Sequence, residues 1–465
     1  MLFSSMTFIY VFLPIVLLIY LLSKKSLHNY ILLGASIIFY AWGEPRYLAI
    51  MFLTILVNYF GAIFIDRYKD YKKTILILTI LVNLGFLVYF KYFNFLIRNL
   101  NGLFHTNIVG LNIIMPIGIS FYTFQALSYV IDVYRGECDV QKDIYKLSLY
   151  ICLFPQLIAG PIVKYHDIAQ EIDNRDVNFD KVKLGVQRFI IGLSKKVLIA
   201  NTMGAVVDKI FIQDPSTLPH LVTWLGAFAY SFQLFFDFSG YSDMAIGLGL
   251  IFGFKFLENF NYPYISKSIS EFWRRWHISL STWFKQYVYI SLGGNRCGMV
   301  KILRNLGIVF LLTGIWHGAE WTFILWGCWH GLFICLEKYF NMKNWQENNS
   351  RLKWLQHIYC LFVVLIGWVV FRSENISYAL KYIMNMFGIL QPSDIEFAMC
   401  YYMDWVGWLM FIVAILCSMP IFNSILNPTS KLKQGFVNFY LLLIFFISTL
   451  IIASNTYNPF IYFRF

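Results

Sequence analysis

A succession of apolar runs joined by short charged connectors constrains this chain more than any other feature of it. The runs are Phe8–Leu22, Asn29–Trp42, Leu48–Ile65, Ile75–Phe90, Leu149–Pro161, Phe189–Met203, Leu221–Phe238, Ala245–Phe256, Leu303–Trp316, Glu320–Leu336, Leu355–Phe371, Trp405–Leu426 and Phe436–Ile452. In hydrocarbon every backbone polar group must be satisfied internally, so runs of this length become helices. Several fall short of the roughly 20 residues of a perpendicular span and are expected to be tilted, re-entrant or interfacial. The expectation is an all-α, polytopic membrane bundle of about ten to twelve crossings around a polar cavity.

Composition agrees. Hydrophobic residues make up 59% of the chain and charged residues 13%, with a mean hydropathy of +0.61, where a soluble domain carries about 25% charged residues. No solenoid repeat or low-complexity linker divides the 465 residues, so one domain over 1–465 is expected. The formal net charge of +12 raises the question of nucleic acid. The basic residues, however, sit at the ends of apolar runs, as in Lys24-Lys25, Lys72-Lys73 and Lys195-Lys196, and form no basic tail. Cytoplasmic loops rich in Lys and Arg explain the charge, and nucleic acid is not an expected partner. The same bias, with Lys24 and Lys25 after the first run and Arg67, Lys69, Lys72 and Lys73 after the third, places the N-terminus outside. No Lys or Arg precedes Phe8, so the first run reads as a retained span rather than a signal peptide.

The eight cysteines form no CxxC pair, and Cys152, Cys328, Cys335, Cys360 and Cys417 read as small buried hydrophobes. No Walker loop, G-x-S-x-G elbow or H-E-x-x-H site is present, and His277, His317 and His330 are not at metal-motif spacing, so no metal is expected.

The segment TGIWHGAEWTFILWGCWHG, Thr313 to Gly331, sets His317 and His330 among Trp, Phe, Ile, Leu and Gly. An ionisable side chain there is costly unless it lines a polar cavity, and His is the side chain suited to moving protons near neutral pH. Gly314 and Gly318 flank His317 and are expected to free space around it. In SEFWRRWHISLSTWFKQYVYISLGGNR, Ser270 to Arg296, the residues Trp273, Trp276, Leu280, Trp283 and Tyr287 recur at helical steps. Arg274, His277 and Ser281 fall on a neighbouring polar face, which predicts one basic amphipathic helix at the interface or along a cavity. A plain cytoplasmic-face anchor fits that pattern equally. FFDFSGYSDMA places Asp237 and Asp243 around Ser239, Gly240 and Tyr241 and predicts a break between helices. MPIGISFYTFQALSYVIDVYRGE carries Gln125 and an i,i+3 pair, Asp132 and Arg135, which reads as mutually satisfied. CLFPQLIAGPIVKY, with Pro155, Gln156, Gly160 and Pro161, predicts a kinked or re-entrant element.

Four of these segments, in this order, resemble signatures of the membrane-bound O-acyltransferase superfamily: MPIGISFYTFQALSYVIDVYRGE, FFDFSGYSDMAIGLGLIFGF, EFWRRWHISLSTWFKQYVYISLGGNR and LLTGIWHGAEWTFILWGCWHG. They span a signature core of 115–331, and the closing PFIYFRF, Pro459 to Phe465, is also similar to the branch that O-acetylates exported alginate. Gln286, Ser291 and Glu320 depart from that branch's usual pattern and leave the glycan open. The resemblance implies acyl transfer, in the first place acetyl, from a cytoplasmic thioester such as acetyl-CoA to an extracytoplasmic glycan. It also implies a bacterial cytoplasmic membrane and an extracytoplasmic SGNH-type partner. D-alanyl transfer toward teichoic acid, or a transporter or scaffold of glycan export without catalysis, are the alternatives. His317 matches the family's invariant histidine and His277 its second polar position; their implied roles are general base and donor-orienting or proton-shuttling group. An interfacial histidine packed among tryptophans is the other reading of His277. Arg274 and Arg275 either meet the phosphates of coenzyme A or anchor the segment to headgroups, with Ser281, Asp237 and Asp243 as further candidates for donor or substrate binding. His330 is assigned to packing or cavity lining.

Overall fold

In the computed structural model, residues 1–158, 160–342, 353–390, 397–422, 431–454 and 457–461 are described. Among them there are helices and connections and no strand. Seven helices are long and apolar enough to cross a membrane: Pro45–Arg67, Lys69–Phe104, Phe179–Phe211, His220–Ile251, Met299–His317, Lys353–Arg372 and Gln434–Ser454. Phe8–Leu22 and Trp405–Cys417 are shorter apolar helices. The protein is an all-α multi-pass membrane protein. Residues 423–426 of the run expected to reach Leu426, and the last four residues of PFIYFRF, lie outside the described residues.

Three expectations are corrected here. The run Leu149–Pro161 is not one continuous helix, which corrects the candidate span and agrees with the kink expected in CLFPQLIAGPIVKY. It is two short helices, Ile144–Cys152 and Phe154–Leu157, broken at Leu153 just before Pro155, because proline removes a backbone donor and clashes with the preceding turn. The expected break in FFDFSGYSDMA is absent: His220–Ile251 is one helix, although Gly240 lies inside it. Helical glycine is tolerated where it lets another backbone approach, and that is its use here. The expected amphipathic helix over Ser270 to Arg296 is interrupted at His277, which separates Ile269–Arg275 from Ile278–Phe284.

The chain divides into two compact units, one of residues 1–189 and 241–257, the other of 190–240 and 258–465. The first is built on the helices His28–Ala41, Leu48–Arg67, Lys72–Leu87 and Ile119–Arg135. Phe3, Phe8, Phe12, Phe39 and Phe154 form its aromatic core. Asn58 and Asn83 exchange two amide hydrogen bonds of 2.8 and 3.2 Å between helices, the polar glue that lipid-embedded helices use in place of a hydrophobic driving force. Asp243 binds Arg188 at 2.7 Å in this unit, and Gly185 faces Gly247, where a Cβ on either would strike the other's carbonyl. Asp132 lies 3.3 Å from His166, and Arg135 3.7 Å from Glu137.

In the second unit Gly240 packs on the Gly192 carbonyl, and the buried Lys196 and Asp237 pair at 2.7 Å. Met299–His317 and Trp321–Tyr339 form a helical hairpin whose backbones cross at Gly314 and Gly327. A Cβ on Gly314 would overlap the Phe323 carbonyl, and one on Gly327 the Phe310 carbonyl. Replacing Gly327 by Leu should therefore force the hairpin apart at a cost of about 1–3 kcal/mol. A thermal melt in detergent would register this as a lower midpoint, and an unchanged midpoint would contradict the close crossing. All eight cysteines are free; of the five expected to be buried, Cys152 and Cys360 are, Cys335 and Cys417 are half-buried, and Cys328 is exposed.

Candidate active site

His317 ends the helix Met299–His317 and is 7% exposed. Its ring lies edge-on to Trp316 at 5.0 Å, Trp326 at 5.0 Å and Phe371 at 5.2 Å. The three aromatic neighbours come from its own helix, the next helix of the hairpin and Lys353–Arg372. The space expected at Gly314 and Gly318 is filled. Trp321–Tyr339 takes the first position, and the ring of Phe323 would overlap a Cβ at the second. These glycines seat the hairpin against the histidine rather than opening room beside it.

His277 sits in the left-handed region, with φ of 44°, at the start of Ile278–Phe284. A non-glycine residue there costs roughly 1–2 kcal/mol, so the surroundings must hold it. Asn259, fully buried, does so: its carbonyl accepts from Ile278 N at 2.9 Å. Its Oδ1 accepts from Ser279 Oγ at 2.9 Å and Ser279 N at 3.2 Å, and lies 3.2 Å from His277 Nδ1. An oxygen that already accepts from a backbone N–H takes a third bond only as acceptor. The His277 contact thus calls for Nδ1–H and leaves the lone pair on Nε2. Burial holds the imidazole well below its ordinary range, so it is neutral at pH 7. Its ring stands perpendicular to Phe238 at 4.6 Å and lies 6.1 Å from Trp316. Trp316 therefore touches both His277 and His317, and the structure brings the two to one indole.

The remaining candidates are more dispersed. Arg274 is exposed. Arg275 is half-buried, donating from Nε to Glu271 at 3.0 Å and from Nη1 to the Asn261 carbonyl at 3.1 Å. Ser281 is half-buried one turn after His277. Asp237 is held by Lys196 and by Ile461 N at 2.8 Å, and Asp243 by Arg188. His330 is fully buried among Trp273, Trp326 and Trp368. Among the described residues no three His, Cys, Asp or Glu side chains converge as metal ligands would.

Two positioning residues escape sequence reasoning. One is Asn259. The other is Glu337, buried in Trp321–Tyr339, which accepts from Ile269 N at 2.6 Å and Ser270 N at 2.9 Å and so caps the helix carrying Arg274 and Arg275. A carboxylate within an apolar run was the available signal for Glu337. Asn259, in an unremarkable loop, offered none. Asn259→Ala should release the turn at His277 and lower acyl transfer about tenfold or more, since a buried, fully used acceptor is lost. Activity per mole of inserted protein measures this, and wild-type activity would show that the turn holds without Asn259.

Buried histidines, a hairpin of crossed membrane helices and a capped basic turn make up the candidate site. The chain belongs to the membrane-bound O-acyltransferase family, whose model matches residues 37–380, and it is an O-acyltransferase. It is 40% identical to a probable alginate O-acetylase, AlgI, of Pseudomonas putida over the full length of both chains. It is 36% identical to a peptidoglycan O-acetyltransferase of Helicobacter pylori, over 84% of this chain and 80% of that one. A teichoic acid D-alanyltransferase of Bacillus subtilis is 32% identical over 52% of this chain and 63% of its own.

Proposed function

We propose that the protein moves an acetyl group from a cytoplasmic thioester, of the acetyl-CoA type, across a bacterial cytoplasmic membrane for O-acetylation of an exported polysaccharide or cell-wall glycan. The observation that carries the reading is the pairing of His277 and His317 on Trp316 in a buried aromatic site. His317 takes the proton of the attacking hydroxyl as its oxygen bonds to the acyl carbon. The carbon–sulfur bond then breaks, and the proton passes to the departing thiolate. His277, with its lone pair on Nε2, orients the donor or relays the proton. The family match runs through both compact units, which supports one functional domain over 1–465 with its signature core at 115–331. The partner is an extracytoplasmic SGNH-type protein that delivers acetyl to the glycan. D-alanyl transfer is the weaker reading, because the D-alanyltransferase relative covers 52% of the chain where the alginate O-acetylase covers all of it.

Vesicles holding the protein, supplied with acetyl-labelled acetyl-CoA, test this reading. Label should reach glycan or a partner's serine, and should do so only when His317 is present. No transfer from acetyl-CoA would refute the donor assignment.

Arg274 and Arg275 separate in the same assay. Both stand in a helix capped by Glu337, but Arg275 already spends two donors on Glu271 and Asn261. The exposed Arg274 is therefore the one to meet a donor phosphate. Arg274→Gln should raise the donor KM about tenfold, the loss of one charge-assisted hydrogen bond, with kcat nearly unchanged. Arg275→Gln should instead lower the amount of folded protein. An unaltered KM in Arg274→Gln would assign that arginine to anchoring.

A further inference from the structure

His330 is fully buried, and neither of its ring nitrogens has a hydrogen-bond partner among the described residues. The indole nitrogens of Trp273 and Trp326 are buried and unpartnered in the same way. The three rings form a closed triangle: Trp273 to His330 5.2 Å, Trp326 to His330 5.2 Å, and Trp273 to Trp326 5.5 Å, each pair nearly perpendicular. Trp326 is also the ring that lies edge-on to His317 at 5.0 Å. On the other side a Cβ at Gly367 would come within 2.6 Å of His330 Nε2, so glycine there lets the imidazole keep its place.

Edge-to-face contacts of this kind contribute about 0.5–1.5 kcal/mol each, but a phenylalanine at position 330 would supply them as well. Each unpaired buried donor or acceptor carries a desolvation penalty of about 1–3 kcal/mol, whereas phenylalanine would fill the position of His330 without one. An ionisable residue kept at membrane depth points to a ligand rather than to stability. The inventory says which kind. Two indole N–H groups and one imidazole N–H donate, and one imidazole nitrogen accepts. Three donors against one acceptor suit an oxygen that accepts, such as a carbonyl, and donors already fixed in a dry site serve that oxygen still better as it gains charge.

We infer that His330, Trp273 and Trp326 form a subsite that hydrogen-bonds the acyl carbonyl of the thioester donor, next to His317. The inference rests on the proposed thioester donor and assigns a binding role to a histidine that sequence reading left to packing. Two coenzyme A derivatives that cannot transfer their acyl group test it. Acetonyl-CoA keeps the carbonyl, and S-ethyl-CoA lacks it. Purified protein in lipid nanodiscs should bind acetonyl-CoA about tenfold more tightly than S-ethyl-CoA, the worth of one hydrogen bond to a buried acceptor. His330→Phe should fold as well as wild type and bring the two affinities within about twofold of each other, while His330→Gln keeps part of the difference. Trp326→Phe, which loses one N–H, should reduce it. His317→Gln should lose transfer yet keep the carbonyl preference, which separates this subsite from the proposed base. Equal discrimination by wild type and His330→Phe overturns the subsite alone. Binding of neither compound by wild type overturns the donor reading and the subsite together.

Discussion

His317→Ala is expected to abolish acyl transfer while the protein still inserts and accumulates near the wild-type level. The loss of a general base alone costs about 10²–10⁴-fold, enough to bring labelled acetyl on the acceptor below detection. Insertion should survive because the helix Met299–His317 ends at this residue, so no later turn of that helix depends on it. The hairpin it belongs to is held at Gly314 and Gly327, three and ten positions away. Removing the imidazole does leave Trp316, Trp326 and Phe371 without a ring they each contact. His317→Phe therefore accompanies the alanine variant: it restores the aromatic contacts and returns no proton acceptor. Both variants inactive at normal abundance is the expected outcome. Acetylation at the wild-type rate in either would remove His317 from the chemistry.

The fold was legible where a run was both long and purely apolar. Leu48–Arg67, Met299–His317 and Lys353–Arg372 begin and end within a few residues of the runs that predict them. Errors gathered where a local rule met a tertiary one. Gly240 and two nearby carboxylates read as a helix break, yet a glycine inside a helix is also what two close backbones require, and Gly192 supplies the second backbone. Nothing in the local sequence tells those cases apart. The aromatic stripe from Trp273 to Tyr287 has helical period throughout, and the chain still turns at His277, because Asn259 stabilises a conformation that the period cannot encode. The residue types at the site were visible as histidines in apolar company. Their arrangement was not: that Trp316 joins His277 to His317, and Trp326 joins His317 to His330, depends on which helices cross.

Asp237→Ala should destabilise the protein by about 3–5 kcal/mol, the cost of leaving a buried charge without its partner. Asp237 and Lys196 are each 1% exposed and lie in two apolar helices, so neither charge has water to fall back on. The pair is not isolated. Lys196 Nζ donates to the Pro459 carbonyl, and Asp237 Oδ2 accepts from Ile461 N at 2.8 Å, so residues 459–461 complete it. Tyr457 adds a hydrogen bond to Asp208 at 2.8 Å, and Asp208 in turn binds Arg372 at 3.0 Å. Among the described residues, loss of Asp237 would leave the Lys196 ammonium with the Pro459 carbonyl and without its carboxylate partner, and would unfasten Ile461. Phe238, the next residue, stands against His277 at 4.6 Å, so the same loss should reach the site and lower acyl transfer as well. Lys196→Met with Asp237→Leu removes both charges at similar volume, and by the same reasoning should recover most of the stability. A cycle of the two single variants and the double, read as thermal midpoints in detergent, measures the coupling. If Asp237→Ala melts with the wild type, the pair does not hold the segment. If the double variant is no more stable than the singles, the two helices depend on those side chains for more than charge neutrality.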